Sequence, residues 1–179
     1  MLVVFSGLPG TGKTAIASQL ARQIGAAYLR IDVIEQALRD AGVLAQGVGA
    51  SGYGVANALA LSNLRLGHTV VADGVNPVRE SREAWKAVAI QAGAAWVDIQ
   101  VICSDEREHQ RRVEQRAGDI PGLTPPDWRS VSAHEYEAWD QKPLTVDTAH
   151  VTADQAVALI LAHLKPEANA LAPDGALKG

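Results

Sequence analysis

The run Gly7-Leu8-Pro9-Gly10-Thr11-Gly12-Lys13-Thr14 constrains this 179-residue chain more than any other stretch. An apolar segment, Leu2-Val3-Val4-Phe5, leads into it, and Ile16, Leu20 and Ile24 follow at helical spacing. A buried strand, a tight glycine-rich turn and an amphipathic helix are therefore expected in that order. The run itself fits G-x-x-x-x-G-K-[ST], the Walker A phosphate-binding loop. Its glycines let backbone N–H groups turn inward onto phosphate oxygens, and the helix N-terminus adds the positive end of its dipole. Lys13 is predicted to reach the β- and γ-phosphates of ATP, and the Thr14 hydroxyl to ligate Mg2+. The predicted nucleotide site is the whole of Gly7, Leu8, Pro9, Gly10, Thr11, Gly12, Lys13 and Thr14.

The rest of the chain repeats the strand-then-helix rhythm. Apolar runs at 27–31, 69–73, 96–103 and 144–146 read as strands, mostly continuous rather than alternating. Continuous apolar strands separated by helices imply a parallel sheet covered on both faces. The expected fold is α/β, with five parallel strands and helices on both sides. Asp32 and Glu35 resemble a capping box for a second helix, and Thr152 with Gln155 for the last one. Asn76-Pro77 has the order of a helix start. Glycines crowd residues 42–54, predicting a loop there and a helix from 55 to 66. A charged helix is expected at 105–116, a Gly/Pro loop at 118–126, and a further helix carrying Trp128, Tyr136 and Trp139. Residues 1–165 read as one domain, and 166–179, rich in Ala, Pro and Gly, as a frayed tail.

Composition narrows the class of partner. A net charge of -4 and a pI near 5.7 give no global basic field, and hence no strong nucleic-acid signal. The single cysteine, Cys103, excludes an internal disulfide and fits a reducing compartment. No stretch approaches the ~20 apolar residues that span a bilayer. The expectation is a cytoplasmic protein without a membrane partner, either a monomer or a homodimer. The five histidines show no metal-ligand spacing.

The candidate site extends beyond the loop. Asp32 follows the second strand and Asp73 ends the third, on the rim where open α/β sheets bind ligands. A GTPase would need D-x-x-G and N-K-x-D motifs, and neither occurs in register. The glycine-rich loop, Asp32, the Val70-Val71-Ala72-Asp73 strand with Asn76-Pro77-Val78-Arg79, and the helix ending Arg111-Arg112-Val113-Glu114-Gln115-Arg116 together resemble a group of P-loop kinases. That group includes polynucleotide 5'-kinase, chloramphenicol phosphotransferase, and the gluconate and adenylylsulfate kinases. The resemblance implies that Asp32 orients an acceptor hydroxyl and takes its proton. It implies that Asp73 lies near the magnesium, and that a lid around residues 105–126 brings Arg112 or Arg116 to the migrating phosphoryl group. Arg30 reads equally as an acidic-substrate contact or as an exposed arginine. Asn76 reads as a helix cap ahead of a ligand, and Arg79 and Arg82 as solvated ahead of substrate contacts.

The function these residues predict is an ATP-dependent phosphotransferase acting on a hydroxyl of a small molecule or a nucleic-acid 5' end. Two rivals remain at this point. A nucleoside monophosphate kinase would need arginines clamping an acceptor phosphate, which 42–54 does not supply. A non-catalytic ATP-binding regulatory module would act through a partner instead.

Overall fold

The structure is a computed structural model that describes residues 1–42 and 47–164. Five strands, β1 (Leu2–Ser6), β2 (Ala27–Arg30), β3 (Val70–Asp73), β4 (Trp96–Ile102) and β5 (Leu144–Asp147), form one sheet in the order β2-β3-β1-β4-β5. Every pairing is parallel, with Leu2 beside Val70 on one flank and beside Trp96 on the other. Among the described residues the helices are α1 (Lys13–Ile24), α2 (Ile31–Asp40), α3 (Ser51–Arg65), α4 (Arg79–Gln91), α5 (Glu106–Gln115), α6 (Trp128–Ser132) and α7 (Ala153–Leu164). None is long and apolar enough to cross a membrane.

Strands β1 and β3, at the centre of the sheet, are buried on both faces, which is why their sequences show no alternation. On one side Val3, Phe5, Val71, Ile99 and Val101 pack against Ile16 and Leu20 of α1 and Ile160 of α7. On the other, Leu2, Val4, Val70 and Ala72 pack against Ala56, Ala60 and Leu64 of α3 and Trp85 of α4. The chain leaves β1 toward β3 and β2 on one side and returns to β4 and β5 on the other. That reversal opens a crevice at the carboxyl end of β1, and the glycine-rich loop occupies it.

Several element ends differ from the sequence expectation, each for a physical reason. Helix α3 begins at Ser51, so Gly52 and Gly54 lie inside it; Gly52 sits against the Glu35 side chain, where a Cβ would come within 2.4 Å of Cγ. Close approach of α2 and α3 at that point uses a residue that local propensity reads as a breaker. The rest of the expected 42–54 loop includes residues 43–46, and the expected tail 166–179 likewise falls outside the described residues. Helix α2 starts at Ile31 with Arg30 as its N-cap and no side-chain capping bond, so Asp32 is not the cap. Helix α4 starts at Arg79, three residues beyond Asn76. Helix α6 carries Trp128 but stops at Ser132, leaving Tyr136 and Trp139 in irregular chain. The Thr152–Gln155 capping box forms as expected, with reciprocal bonds of 2.8 and 3.3 Å.

Candidate active site

The glycine-rich loop connects β1 directly to α1. Gly7 has φ of +146°, and a Cβ there would lie 2.2 Å from the Val101 carbonyl oxygen, so only glycine lets the loop leave β1 this close to β4. Gly10, with φ of +85°, faces Val113 of α5, whose Cγ2 would meet a Cβ at 2.4 Å. The first N–H groups of α1 have no partners within the helix and are donors for an anion.

Lys13 is buried, and its ammonium donates to Asp73 Oδ1 at 2.6 Å, joining the start of α1 to the end of β3. The Tyr28 hydroxyl donates to the other Asp73 oxygen at 2.6 Å. Burial alone would push the Asp73 carboxyl up, but the Lys13 charge and hydrogen bond, helped by Tyr28 and Thr14, hold it below its ordinary value. Burial and the neighbouring Asp73 carboxylate push the Tyr28 phenol far above the usual tyrosine range. Asp73 is therefore an ionised carboxylate beside the loop lysine, with Thr14 adjacent in sequence to that lysine.

A cavity of about 640 Å³ opens beside the loop. Gly12, Lys13, Thr14, Asp32, Arg112 and Arg116 all line it, so the structure brings the loop, the second-strand carboxylate and the α5 arginines to one space. Asp32 lies in the first turn of α2, partly buried, with Oδ2 3.5 Å from Arg30 Nη2. Asp73 sits one layer deeper, at 1% exposure behind Lys13.

The two predicted α5 arginines differ. Arg112 donates through Nη1 to Thr148 Oγ1 (2.8 Å), through Nη2 to the Thr148 carbonyl (3.1 Å) and through Nε to Glu108 (2.8 Å). Thr148 in turn donates to the Thr11 carbonyl at 2.8 Å, so Arg112 braces the phosphate loop through the end of β5. Arg116, at the C-terminus of α5, has an Nη2–Asp119 contact of 3.3 Å and is partly exposed to the cavity. Arg111, exposed and bidentate to Glu108, also reaches the cavity wall. Its pull, with that of Arg112, brings the Glu108 carboxyl down to about 2.

Other side chains stand apart from their sequence reading. Arg30 is not exposed: at 9% exposure it forms a two-pronged pair with Asp119. Asn76 is not a helix cap. It has φ of +46°, is fully buried, donates to the Phe5 carbonyl and Ser6 hydroxyl at 3.0 Å, and accepts from the Trp85 indole at 3.0 Å. Arg82 is buried rather than solvated. Its guanidinium caps the carbonyls of Asn76, Pro77, Glu137 and Ala138 and stacks on Trp139, 4.2 Å from the ring centroid. Arg79 remains exposed, paired with Asp140 at 3.1 Å. Tyr136 and Trp139 thus hold a structural arginine.

Sequence reading missed His109, Thr148, Tyr28 and Asp119. His109 Nε2 lies 2.8 Å from the Pro9 carbonyl, which only accepts, so the ring carries its proton there. Trp128 packs edge-on against that ring, 5.2 Å between centroids. A signal existed for Tyr28 alone, a polar-tipped residue in a short buried strand; the others carry no local motif.

The residues present fit ATP and Mg2+. The loop supplies a backbone cradle, a lysine and a hydroxyl, and an ionised carboxylate lies within reach of the lysine. Mg2+ in such sites takes one or two protein ligands and otherwise water and phosphate oxygens.

Comparison with known proteins agrees with this fold. The APS kinase CysC of Mycobacterium tuberculosis, in complex with AMPPNP and APS, superposes with a TM-score of 0.66 at 22% identity, covering 90% of this chain and 95% of that one. A gluconokinase from Sinorhizobium meliloti 1021 gives 0.59 at 16% identity, with 89% of each chain covered. Kti12 of Chaetomium thermophilum, in complex with ADP-AlF3, gives 0.60 at 20% identity, covering 93% and 100%. At these identities the likeness concerns the fold alone, a parallel sheet covered by helices. In sequence, the uncharacterized protein Rv2004c of M. tuberculosis is 31% identical over 130 residues, 66% of this chain. The chain spans only 26% of the length of that relative. Residues 2–124, more than half of the chain, match the AAA domain family, and the protein belongs to it.

Proposed function

We propose that this domain transfers the γ-phosphoryl group of ATP to a hydroxyl of an acceptor held in the 640 Å³ cavity. The observation that carries the reading is that one cavity joins the phosphate loop, Asp32 and the α5 arginines. Lys13 leaves Asp73 for the β- and γ-phosphates, and the helix N-terminus of α1 holds their oxygens. Thr14, with Asp73 beside it, holds Mg2+, which when bound neutralises charge on the phosphate oxygens.

Asp32 accepts a hydrogen bond from the acceptor hydroxyl and orients it toward the γ-phosphorus. As the acceptor oxygen bonds to phosphorus, the bond from phosphorus to the bridging oxygen breaks. The electron pair leaves with ADP, and the hydroxyl proton passes to Asp32. Arg116 supplies positive charge to the equatorial oxygens, where negative charge is greatest in the transition state. Residues 105–126 act as a lid over the nucleotide and exclude water as a competing nucleophile.

Isothermal titration and turnover test this together. Lys13→Ala abolishes measurable ATP-Mg2+ binding while the protein stays folded. Asp32→Asn retains ATP affinity and loses roughly 10²-fold in turnover, the usual worth of a positioned base. Undiminished ATP affinity in the Lys13 variant, or undiminished turnover in the Asp32 variant, overturns the assignment of that residue.

A further inference from the structure

Arg30 ends β2 and caps α2 beside the carboxylate proposed as the base. Its side chain is 8% exposed, and a buried guanidinium needs partners for its donors. The two Nη groups are both taken by Asp119: Nη1 with Oδ2, and Nη2 with Oδ1 at 3.0 Å. Nη2 also faces Asp32 at 3.5 Å, and Nε, equally buried, has no partner among the described residues. The guanidinium fork therefore presents a site for a planar or tetrahedral oxyanion that is not fully satisfied by the group it holds.

The group it holds is of a different kind. Asp119 comes from 89 residues away, in the irregular chain after α5, and its side chain is half exposed. Among the described residues its side-chain partners are Arg30 and, at a longer 3.3 Å, Arg116. Asp119 and Asp32 both line the cavity shared with the phosphate loop. The Arg30 pair keeps the Asp119 carboxyl well below the ordinary carboxylate range, so it is an anion at neutral pH. A water-accessible carboxylate of the cavity lining is thus seated on a cation buried just behind that lining.

We propose that Arg30 is an acceptor-recognition residue. It binds an anionic substituent of the acceptor (carboxylate, phosphate or sulfate), and Asp119 occupies that position until the acceptor arrives. The inference rests on the kinase reading for its substrate, but not for the existence of the anion site. Exchange of one oxyanion for another on a fixed guanidinium conserves the ion pair, so an anionic acceptor replaces Asp119 without leaving a buried charge unpaired. A neutral acceptor cannot do so. The released Asp119 also frees Arg116, which couples acceptor binding to the arginine proposed to act on the γ-phosphoryl group.

The test uses the full chain saturated with AMPPNP-Mg2+, so that the phosphate loop is filled, and inorganic sulfate as the probe. Asp119→Asn, at an exposed position, is expected to bind sulfate at least roughly tenfold tighter than the unaltered protein, because the internal competitor has lost its charge. Adding Arg30→Gln is expected to abolish that gain, with folding checked by thermal melting, while adding Arg116→Gln preserves it. No gain in the Asp119 variant, or a gain that survives loss of Arg30, overturns the proposal. A second arm measures ATP consumption with matched acceptors, a sugar against its sugar acid and a nucleoside against its monophosphate. Preference for the charged member, reduced by Arg30→Gln mainly through KM, supports the proposal; equal use of both members overturns it. ATP consumption with none of them counts against the kinase reading, and the sulfate titration then decides the anion site by itself.

Discussion

Lys13, Asp73 and Tyr28 form a network in which two bonds of 2.6 Å hold a single carboxylate behind the phosphate loop. Both members of the ion pair are nearly inaccessible, with side-chain exposures of 8% and 0%. Removing one partner of such a pair leaves the other charge buried, and Asp73→Asn is expected to destabilise the protein by about 3 kcal/mol near neutral pH. The pH dependence has a definite sign. The Asp73 carboxyl is depressed in the folded protein, so its stabilising effect is fully present above the ordinary unfolded value of about 3.9. It is lost as pH falls through the lower folded value. The stability gap between the unaltered and Asp73→Asn proteins should therefore be widest at neutral pH and close below about pH 4. Chemical denaturation across that range measures it; a gap independent of pH would mean that the carboxylate charge is not what stabilises.

Helix α5 reaches the phosphate loop in two ways, through His109 on the Pro9 carbonyl and through Arg112 by way of Thr148 on the Thr11 carbonyl. Each contact ends in a donor on a loop backbone carbonyl, so the helix fixes the loop's shape as well as walling the cavity. This separates the two arginines that the sequence left equivalent. Arg116→Ala removes a charge near the cavity but no brace, and is expected to lower kcat by roughly 10²-fold with ATP KM little changed, by analogy with arginine fingers. Arg112→Ala releases Thr148 and is expected to raise ATP KM and lower the melting temperature as well. Steady-state kinetics in ATP, with melting curves for both variants, distinguishes these outcomes. A KM change confined to Arg116→Ala would reverse the assignment. The same helix shows what was legible locally. Its charge density and its limits, Glu106–Gln115 against an expected 105–116, were readable from sequence, while the role of His109 was not. The ring meets Pro9 100 residues away, and no periodicity encodes that contact.

At the level of the whole molecule, the cavity is closed on one side by α5 and the chain that follows it, and on the other by α1 and α2. If residues 105–126 act as a lid, amide exchange across them should slow on binding AMPPNP-Mg2+, with the α1 and β1 amides slow throughout. Exchange across 105–126 that is unchanged by the nucleotide would show a fixed wall instead. The sequence by itself determined the α/β class, the five strands, and the strand–loop–helix at the N-terminus that carries Lys13 and Thr14. Those are local properties: apolar runs and helical spacing report burial, and a glycine-rich turn reports its own backbone. The tertiary structure alone decided which groups meet. Lys13 and Asp73 are 60 residues apart, Arg30 and Asp119 are 89 apart, and Thr148 and Thr11 are 137 apart. The strand order β2-β3-β1-β4-β5 brings the ends of β1 and β3 side by side, and the ends of β4 and β5 next to them. Arg82 and Asn76 make the same point from the core. Their polarity predicts solvent and a cap, yet the fold buries both: Asn76 donates to the Phe5 carbonyl at the end of β1, and Arg82 to the Asn76 and Pro77 carbonyls of the turn after β3.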